Sequence, residues 1–294
     1  VSVSTFPKTS VWQRRESGPV LSDRQYRLWS EMLENRTGVR IAAERDDYVR
    51  GQISRRMVEL GLSDTDTYFR EVLETIAGTV EWGLLLDRLL VKETRFFRHR
   101  ASHEYVRERL IKQLKRQTLD GPFNMWSVGC STGEETYSLA ITAFEGFRQA
   151  RRKPVFGVIG TDISRGAIAF ARNATFLQSR LGGISDNELR TYFEPVDNRQ
   201  VRVKNAVTQK VCFIIDNLLD ENDAAFAEEM DVVFCQNVLI YFKRWRRRDI
   251  VNRLVQRLKP NGCLVVGPGE LSDWHPKNLK RDESPGVQVY VRVD

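Results

Sequence analysis

Trp126–Ala140 reads WSVGCSTGEETYSLA, and the rest of the chain is arranged around it. An apolar run, Phe123 to Val128, meets a turn of small residues from Gly129 to Gly133. A helical pattern follows, with Tyr137, Leu139, Ile141 and Phe144 among its apolar positions. Strand, glycine turn and helix in that order open a doubly wound, Rossmann-like α/β domain. The glycines let the backbone bend tightly and come close to a ligand where a Cβ would clash.

Glu134 and Glu135 stand directly behind the turn. A phosphate-binding turn needs bare backbone N–H groups and no negative charge nearby. Two acids at a helix start suit the helix dipole but repel a pyrophosphate. A nicotinamide dinucleotide would also ask for G-x-G-x-x-G, whereas this turn reads G-C-S-T-G-E-E. A ligand with an ammonium group and sugar hydroxyls fits better, and S-adenosylmethionine has both. On the plainer reading, the two glutamates only stabilise the first helical turn.

The chain has 294 residues, room for two modest domains. Its 41% hydrophobic and 29% charged content is that of an ordinary soluble globular protein. No apolar run approaches the roughly 20 residues of a membrane span; the best, Leu84–Val91, is broken by Asp87 and Arg88. The N-terminus has no apolar signal core, so no membrane insertion is expected and the cytoplasm is the expected compartment. The four cysteines include no C-x-x-C pair, so neither a metal site nor a disulfide framework is expected. The net charge of +7 favours acidic partners but is too moderate to predict nucleic-acid binding.

Residues 1–20 are polar and patternless and read as a flexible tail. Residues 21–91 carry four helical stripes and read as a small all-helical domain. Ser22 with Gln25 fits a capping box ahead of Tyr26, Trp29, Met32 and Leu33. A second helix, near Asp46–Leu60, would bury Val49, Ile53, Met57 and Leu60. A third, near Asp66–Ile76, includes Leu73 and Ile76 in its stripe, and a fourth spans about Val80–Leu90. Arg50, Arg55 and Arg56 on the second helix form a candidate docking face for an acidic partner, although a solvated helix surface would look the same.

Residues 92–294 form the α/β part, which opens with the basic and aromatic connector KETRFFR, Lys92–Arg98, and a helix over Ser102–Leu114. Strands are expected at Val155–Thr161, Cys212–Ile215, Asp231–Gln236, Leu264–Val266 and Val287–Arg292, with Lys259–Gly262 as a turn after a basic helix, Trp245–Leu258. Residues 175–210 break this rhythm. They are too long for a simple loop and predict an inserted small antiparallel β-subdomain built on a hairpin.

Ligands of an open α/β sheet sit at the carboxyl ends of its strands. The candidates there are Cys130–Glu135, Asp162, Asn217 and Asn237. Asp162, at the end of the second strand, is placed to accept ribose hydroxyls; capping the next helix is its alternative role. The three histidines, His99, His103 and His275, have no nucleophile or carboxylate at motif spacing, and two of them read as helix-surface residues. No general base is evident. An acceptor that is already an anion, such as a glutamate carboxylate of pKa about 4.3, needs none.

Several segments together resemble the CheR-type chemotaxis receptor methyltransferases. These are KETRFFR, GCSTGEETYS from Gly129, TDI at Thr161–Ile163, DNLL at Asp216–Leu219 and FCQNVLIYF at Phe234–Phe242. Within the family the likeness is nearest to the pilus-linked, twitching-motility branch. The resemblance implies methyl transfer from S-adenosylmethionine to glutamates in the cytoplasmic domain of a methyl-accepting receptor, by a cytoplasmic monomer, leaving S-adenosylhomocysteine. It implies cofactor contacts at Lys92, Thr94, Arg98, Glu135, Asp162, Asn217, Leu218, Gln236 and Asn237. It places Arg98 and Tyr241 nearest the methyl group. Lys92, Gln236, Thr136 and His99 depart from the residues usual in the family, which are Asn, Arg, Pro and an acid. A cofactor-sensing adaptor without turnover and a nucleic-acid methyltransferase are the competing classes.

Overall fold

The computed structural model describes residues 18–220, 229–271 and 274–293; the tail expected over 1–20 lies, up to residue 17, outside them. Four helices come first: α1 (Asp23–Thr37), α2 (Asp46–Glu59), α3 (Thr65–Glu74) and α4 (Ile76–Leu89). Each boundary has a local cause. The Ser22–Gln25 capping box opens α1, and Gly38 at φ 74 closes it. Asp64 caps α3 through the N–H groups of Asp66 and Thr67, and Thr75 caps α4 through that of Gly78. The Thr75 cap explains why Ile76, expected inside the third stripe, is 93% exposed: it starts a new helix. Leu60 and Leu73 also lie outside the core.

The helices close on Trp29, Val49, Ile53, Met57, Tyr68, Val72 and Leu85. At the edge of this core, Glu81 accepts from the Tyr68 hydroxyl at 2.6 Å and from Arg56 Nε and Nη2 at 2.8 and 2.6 Å. Burial works to raise the proton affinity of Glu81, but these donors outweigh it and hold its pKa below the usual range. Replacing Glu81 with alanine is expected to cost about 2–3 kcal/mol in urea unfolding at neutral pH, because Arg56 and Tyr68 lose their acceptor. A depressed carboxylate stabilises above its unfolded pKa and stops doing so as the pH falls through its folded value. The difference between the proteins should therefore shrink in acid.

The α/β part has one seven-stranded sheet in the order β6-β2-β1-β7-β8-β10-β9. Its strands are β1 (Phe123–Val128), β2 (Phe156–Asp162), β6 (Val211–Ile215), β7 (Met230–Cys235), β8 (Leu258–Val266), β9 (Leu279–Asp282) and β10 (Gln288–Arg292). The first five of that order are parallel, and β10 runs antiparallel to both β8 and β9. Alternation along β1 splits the core: Phe123 and Met125 face one layer, Trp126 and Val128 the other. Helices α5 (Arg100–Arg116), α6 (Glu134–Gln149) and α7 (Arg165–Asn173) contribute to the first layer, and α10 (Arg244–Gln256) to the second.

Three details differ from the sequence expectations. Lys259–Gly262 is not a turn between helix and strand but part of β8, where a bulge shifts the register between Met230 and Val232. Strand β9 was not expected, since its sequence LKRD has little apolar pattern for an edge strand. The insertion holds three strands, β3 (Thr175–Leu177), β4 (Phe193–Pro195) and β5 (Gln200–Val203), with α8 (Asp186–Tyr192) before β4 and α9 (Asn205–Thr208) after β5. Their order is β3-β5-β4, all antiparallel, so the unit is a small sheet and not a lone hairpin.

The register sets the site. Val128 pairs with Thr161, Asp162 with Ile215, and Cys235 with Val266. The chain therefore leaves four neighbouring parallel strands at one edge of the sheet, bringing 129–135, 162–164, 216–218 and 236–241 together.

Candidate active site

The turn after β1 is left-handed at Gly129 (φ 66), Ser131 (φ 50) and Gly133 (φ 94). A Cβ on Gly129 would lie 2.6 Å from Val238, so glycine is what allows the turn to close on the loop after β7. Asp162 is pinned from both sides: Ser131 N donates to Oδ2 and Ser164 N to Oδ1, each at 2.8 Å. Burial raises its pKa against the pull of these two donors. The remaining lone pairs of its carboxylate are the acceptors left for a ligand.

Glu135, in the first turn of α6, accepts from Ser127 Oγ at 2.8 Å and lines the cleft. Desolvation, reinforced by the like charge of Glu270, pushes its pKa up to about 8, although Ser127 and Arg98 pull the other way. Glu134 differs from the simple helix-start residue expected of it: its side chain is 0% exposed and pairs with Arg180 of the insertion at 3.0 Å. It also accepts from Thr132 Oγ1 at 2.6 Å, so it anchors the small sheet to the turn.

Lys92, Thr94, Arg98, Glu135, Asp162, Asn217, Leu218, Gln236, Asn237 and Tyr241 all line one cleft of about 1180 Å³, its open mouth included. Their local roles are distinct. Asn237 takes a left-handed φ of 60, and its Oδ1 is 3.1 Å from His99 Nε2. Gln236 spends its amide N–H groups on Ser102 Oγ and Val266 O, at 2.9 and 3.1 Å, and thus braces α5 against β8. Asn217 donates to Arg36 O at 3.0 Å, tying the strand-end loop to α1. Arg98 donates to Glu93 O at 3.0 Å, with Glu93 Oε1 at 3.6 Å. Burial raises the pKa of Tyr241, while Arg45 and Arg98 lower it. Lys92 lies 3.9 Å from Asp87.

His99 and His103 are not the helix-surface residues the sequence suggested. His99 lines the cleft, and His103 is buried, stacked on Phe234 with centroids 5.0 Å apart. Burial pushes the pKa of His103 down to about 3, which removes it as a proton acceptor at neutral pH. Among the described residues no group of three or more His, Cys, Asp or Glu could hold a metal ion.

The three arginines of the candidate docking face are separated by the fold. Arg50 pairs with Asp23 at 2.8 Å and lies over the Tyr26 ring, and Arg56 is committed to Glu81 and Glu59. Arg55 alone of the three is exposed, bonded to Gly51 O within its own helix.

Acidic acceptors on two adjacent strand ends, no phosphate cradle and a cleft of this size suit a nucleoside carrying a cationic amino acid. The model of the CheR methyltransferase SAM-binding domain matches residues 92–285, and that of the CheR all-alpha domain matches 24–90. The chain belongs to the CheR methyltransferase family. The chemotaxis protein methyltransferase of Salmonella typhimurium is 32% identical over 288 residues, covering 97% of this chain and 95% of that protein. The chemotaxis protein methyltransferase of Escherichia coli is 30% identical over 266 residues, covering 90% of each. Chemotaxis protein methyltransferase 1 of Pseudomonas aeruginosa is 29% identical over 266 residues, covering 89% and 96%. This CheR protein is thus an enzyme that uses S-adenosylmethionine to methylate protein.

Three residues that the sequence reading passed over belong to the architecture of the site. Asp87, at the end of α4, accepts from Ser164 Oγ at 2.5 Å and Gly166 N at 2.9 Å, joining the helical domain to the strand end that carries Asp162. Its signal was a lone acid in the apolar run Leu84–Val91. Arg45 lines the cleft from the helical domain and donates to Leu89 O at 2.9 Å. Glu270 lies in the GPGE turn after the last parallel strand, a strand end the sequence analysis did not include.

Proposed function

We propose that this CheR protein transfers methyl to glutamate side chains in the cytoplasmic domain of a methyl-accepting chemotaxis receptor, forming γ-methyl esters. The observation that carries this reading is a pair of arginines at the mouth of the cleft, where neither cleft histidine is free to act as a base. Arg98 and Arg45 stand by Tyr241, His103 is buried, and His99 is engaged with Asn237. The one cleft carboxyl whose pKa is raised to about 8, Glu135, is assigned to the cofactor's ammonium, so an acceptor that must be deprotonated is disfavoured. A glutamate is already an anion at neutral pH and is drawn by the arginines.

Asp162 would accept from the ribose and Glu135 would face the amino-acid ammonium, with Lys92 and Thr94 beside them. Asn217, Leu218 and Asn237 would surround the adenosine, and Gln236 would hold the wall behind it. Bound S-adenosylmethionine supplies an electrophilic methyl on a sulfonium sulfur, which leaves as the thioether of S-adenosylhomocysteine. Arg98 and Tyr241 would hold the incoming carboxylate, so the rate would come from alignment and charge rather than proton transfer. Arg55 is the docking arginine still free to meet an acidic receptor surface. The proposed site draws its residues from one chain, in keeping with a monomer, and a receptor's cytoplasmic domain as substrate would put the enzyme in the cytoplasm.

The finer assignment, from the sequence resemblance, is a pilus-linked receptor controlling twitching motility. Incubation with labelled cofactor and the signalling domains of pilus-linked and flagellar receptors tests both levels. Transfer is expected to be labile to mild alkali and to prefer the pilus-linked receptor. Label that survives alkali, or that persists after every acceptor glutamate is replaced by alanine, would exclude glutamate esters. Preference for the flagellar receptor would remove the pilus assignment alone.

A further inference from the structure

The loop after β7 carries Gln236, Asn237 and Tyr241 into the cleft, yet it has little support of its own. A single short turn, Leu239–Tyr241, is held by Tyr241 N to Val238 O at 3.2 Å and Phe242 N to Leu239 O at 3.1 Å. Asn237 takes a left-handed conformation, uncommon for a residue with a Cβ though asparagine tolerates it best. From outside the loop, Arg40 N donates to Tyr241 O at 2.8 Å, and one carboxylate takes the N–H groups at both loop ends. Glu270 Oε2 accepts from Asn237 N at 3.0 Å and Gly267 N at 2.7 Å, and Oε1 accepts from Ile240 N at 3.2 Å.

Glu270 is 4% exposed, and no ion pair with it occurs among the described residues; burial raises its pKa, and the backbone N–H groups around it pull the other way. The turn that presents it is itself fixed: Glu270 N donates to Gly267 O at 3.1 Å, and Gly269 N to Gln288 Oε1 at 3.0 Å. A Cβ on Gly267 would lie 2.5 Å from Glu270 Oε2, so glycine there admits the carboxylate. A charged acid this deep is costly unless its hydrogen bonds are complete, and here they join the ends of two adjacent strands.

We propose that Glu270 is a positioning residue of the transfer reaction, clamping the 237–241 loop so that Asn237 and Tyr241 face the cleft. Its two oxygens divide the work. Oε2 sets the cofactor-side end of the loop through Asn237, and Oε1 sets the mouth-side end through Ile240, next to Tyr241.

Glu270→Gln separates the two. The amide oxygen can replace Oε2 for Asn237 and Gly267, which leaves the amide N–H groups against the Ile240 N–H. The opposite orientation would strand two donors instead of one. In the folded variant, affinity for S-adenosylhomocysteine is therefore expected to stay within about threefold, while kcat falls roughly tenfold or more. Because the effect runs through Tyr241, the same substitution in a Tyr241→Ala background should cost little further rate. A lower melting temperature with unchanged kcat would overturn the proposal, as would a full rate loss persisting without Tyr241. Should the variant not fold, amide exchange on the ligand-free wild type decides: Asn237, Ile240 and Gly267 are expected to be protected, and free-peptide exchange rates there overturn the clamp. The rate readout rests on the glutamate-transfer reading above, but the exchange measurement does not, so failure of one is distinguishable from failure of the other.

Discussion

Glu135→Gln is expected to weaken S-adenosylhomocysteine binding by roughly a hundredfold at pH 8.5, the scale of removing one partner from an enclosed charge pair. It should at the same time make the ligand-free protein harder to melt. Both effects follow from one displaced pKa. In the ligand-free protein the Glu135 carboxyl holds its proton up to about pH 8, because of desolvation and the nearby Glu270. The unfolded chain releases that proton near pH 4.3. Between these values the folded state binds the extra proton, so its stability falls as the pH rises. Above pH 8 the penalty is complete and amounts to a few kcal/mol.

A glutamine accepts the Ser127 hydrogen bond without carrying the charge, so its stabilising effect should grow from pH 5 to pH 8.5 in thermal melts. Ligand affinity runs the other way in the wild type. An ammonium needs the ionised carboxylate, so affinity should rise from pH 6 to pH 8 with release of a proton, and the glutamine variant should lose that dependence. Calorimetry in buffers of different ionisation enthalpy measures it. Equal affinities for the two proteins at pH 8.5 would show that Glu135 does not face the ammonium.

Arg98→Ala is expected to lower kcat by roughly a hundredfold or more, the range found when one charge-stabilising donor is removed from an active site, with a much smaller change in affinity for S-adenosylhomocysteine. The reason lies in how weakly Arg98 is held. Its ion-pair partner Glu93 is 81% exposed at 3.6 Å, an arrangement worth little in water. The guanidinium can therefore exchange Glu93 for a substrate carboxylate at small cost. Arg98→Lys should recover only part of the rate, since it keeps the charge and loses the planar fork that matches a carboxylate. Rates equal to wild type in Arg98→Ala would place the substrate anion elsewhere in the mouth.

Much of this site could be read from the chain because its signals are local. The strand ending at Val128, the glycine turn, the helix-start acids and Asp162 are all set by neighbours within a few residues. An ordered set of such strand ends suffices to predict the sheet and its binding edge. The capping box of α1 and the glycine stop at Gly38 belong to the same class.

Tertiary structure decided what each charge does. Glu134 and Glu135 are adjacent and chemically identical, yet one is buried against Arg180, 46 residues away, and the other opens onto the cleft. Asp87 reaches Ser164 across 77 residues, and Glu270 holds Asn237 across 33. His103 read as a surface residue until Phe234 covered it. Short-range signals thus fixed most of the parallel sheet and the strand ends that line the cleft, since dihedral preference and hydrophobic period act over a few residues. They did not fix β9, the β8 bulge or the third strand of the insertion. Only packing determined which polar groups lose water and which find partners, and the energies of buried charges depend on those two facts.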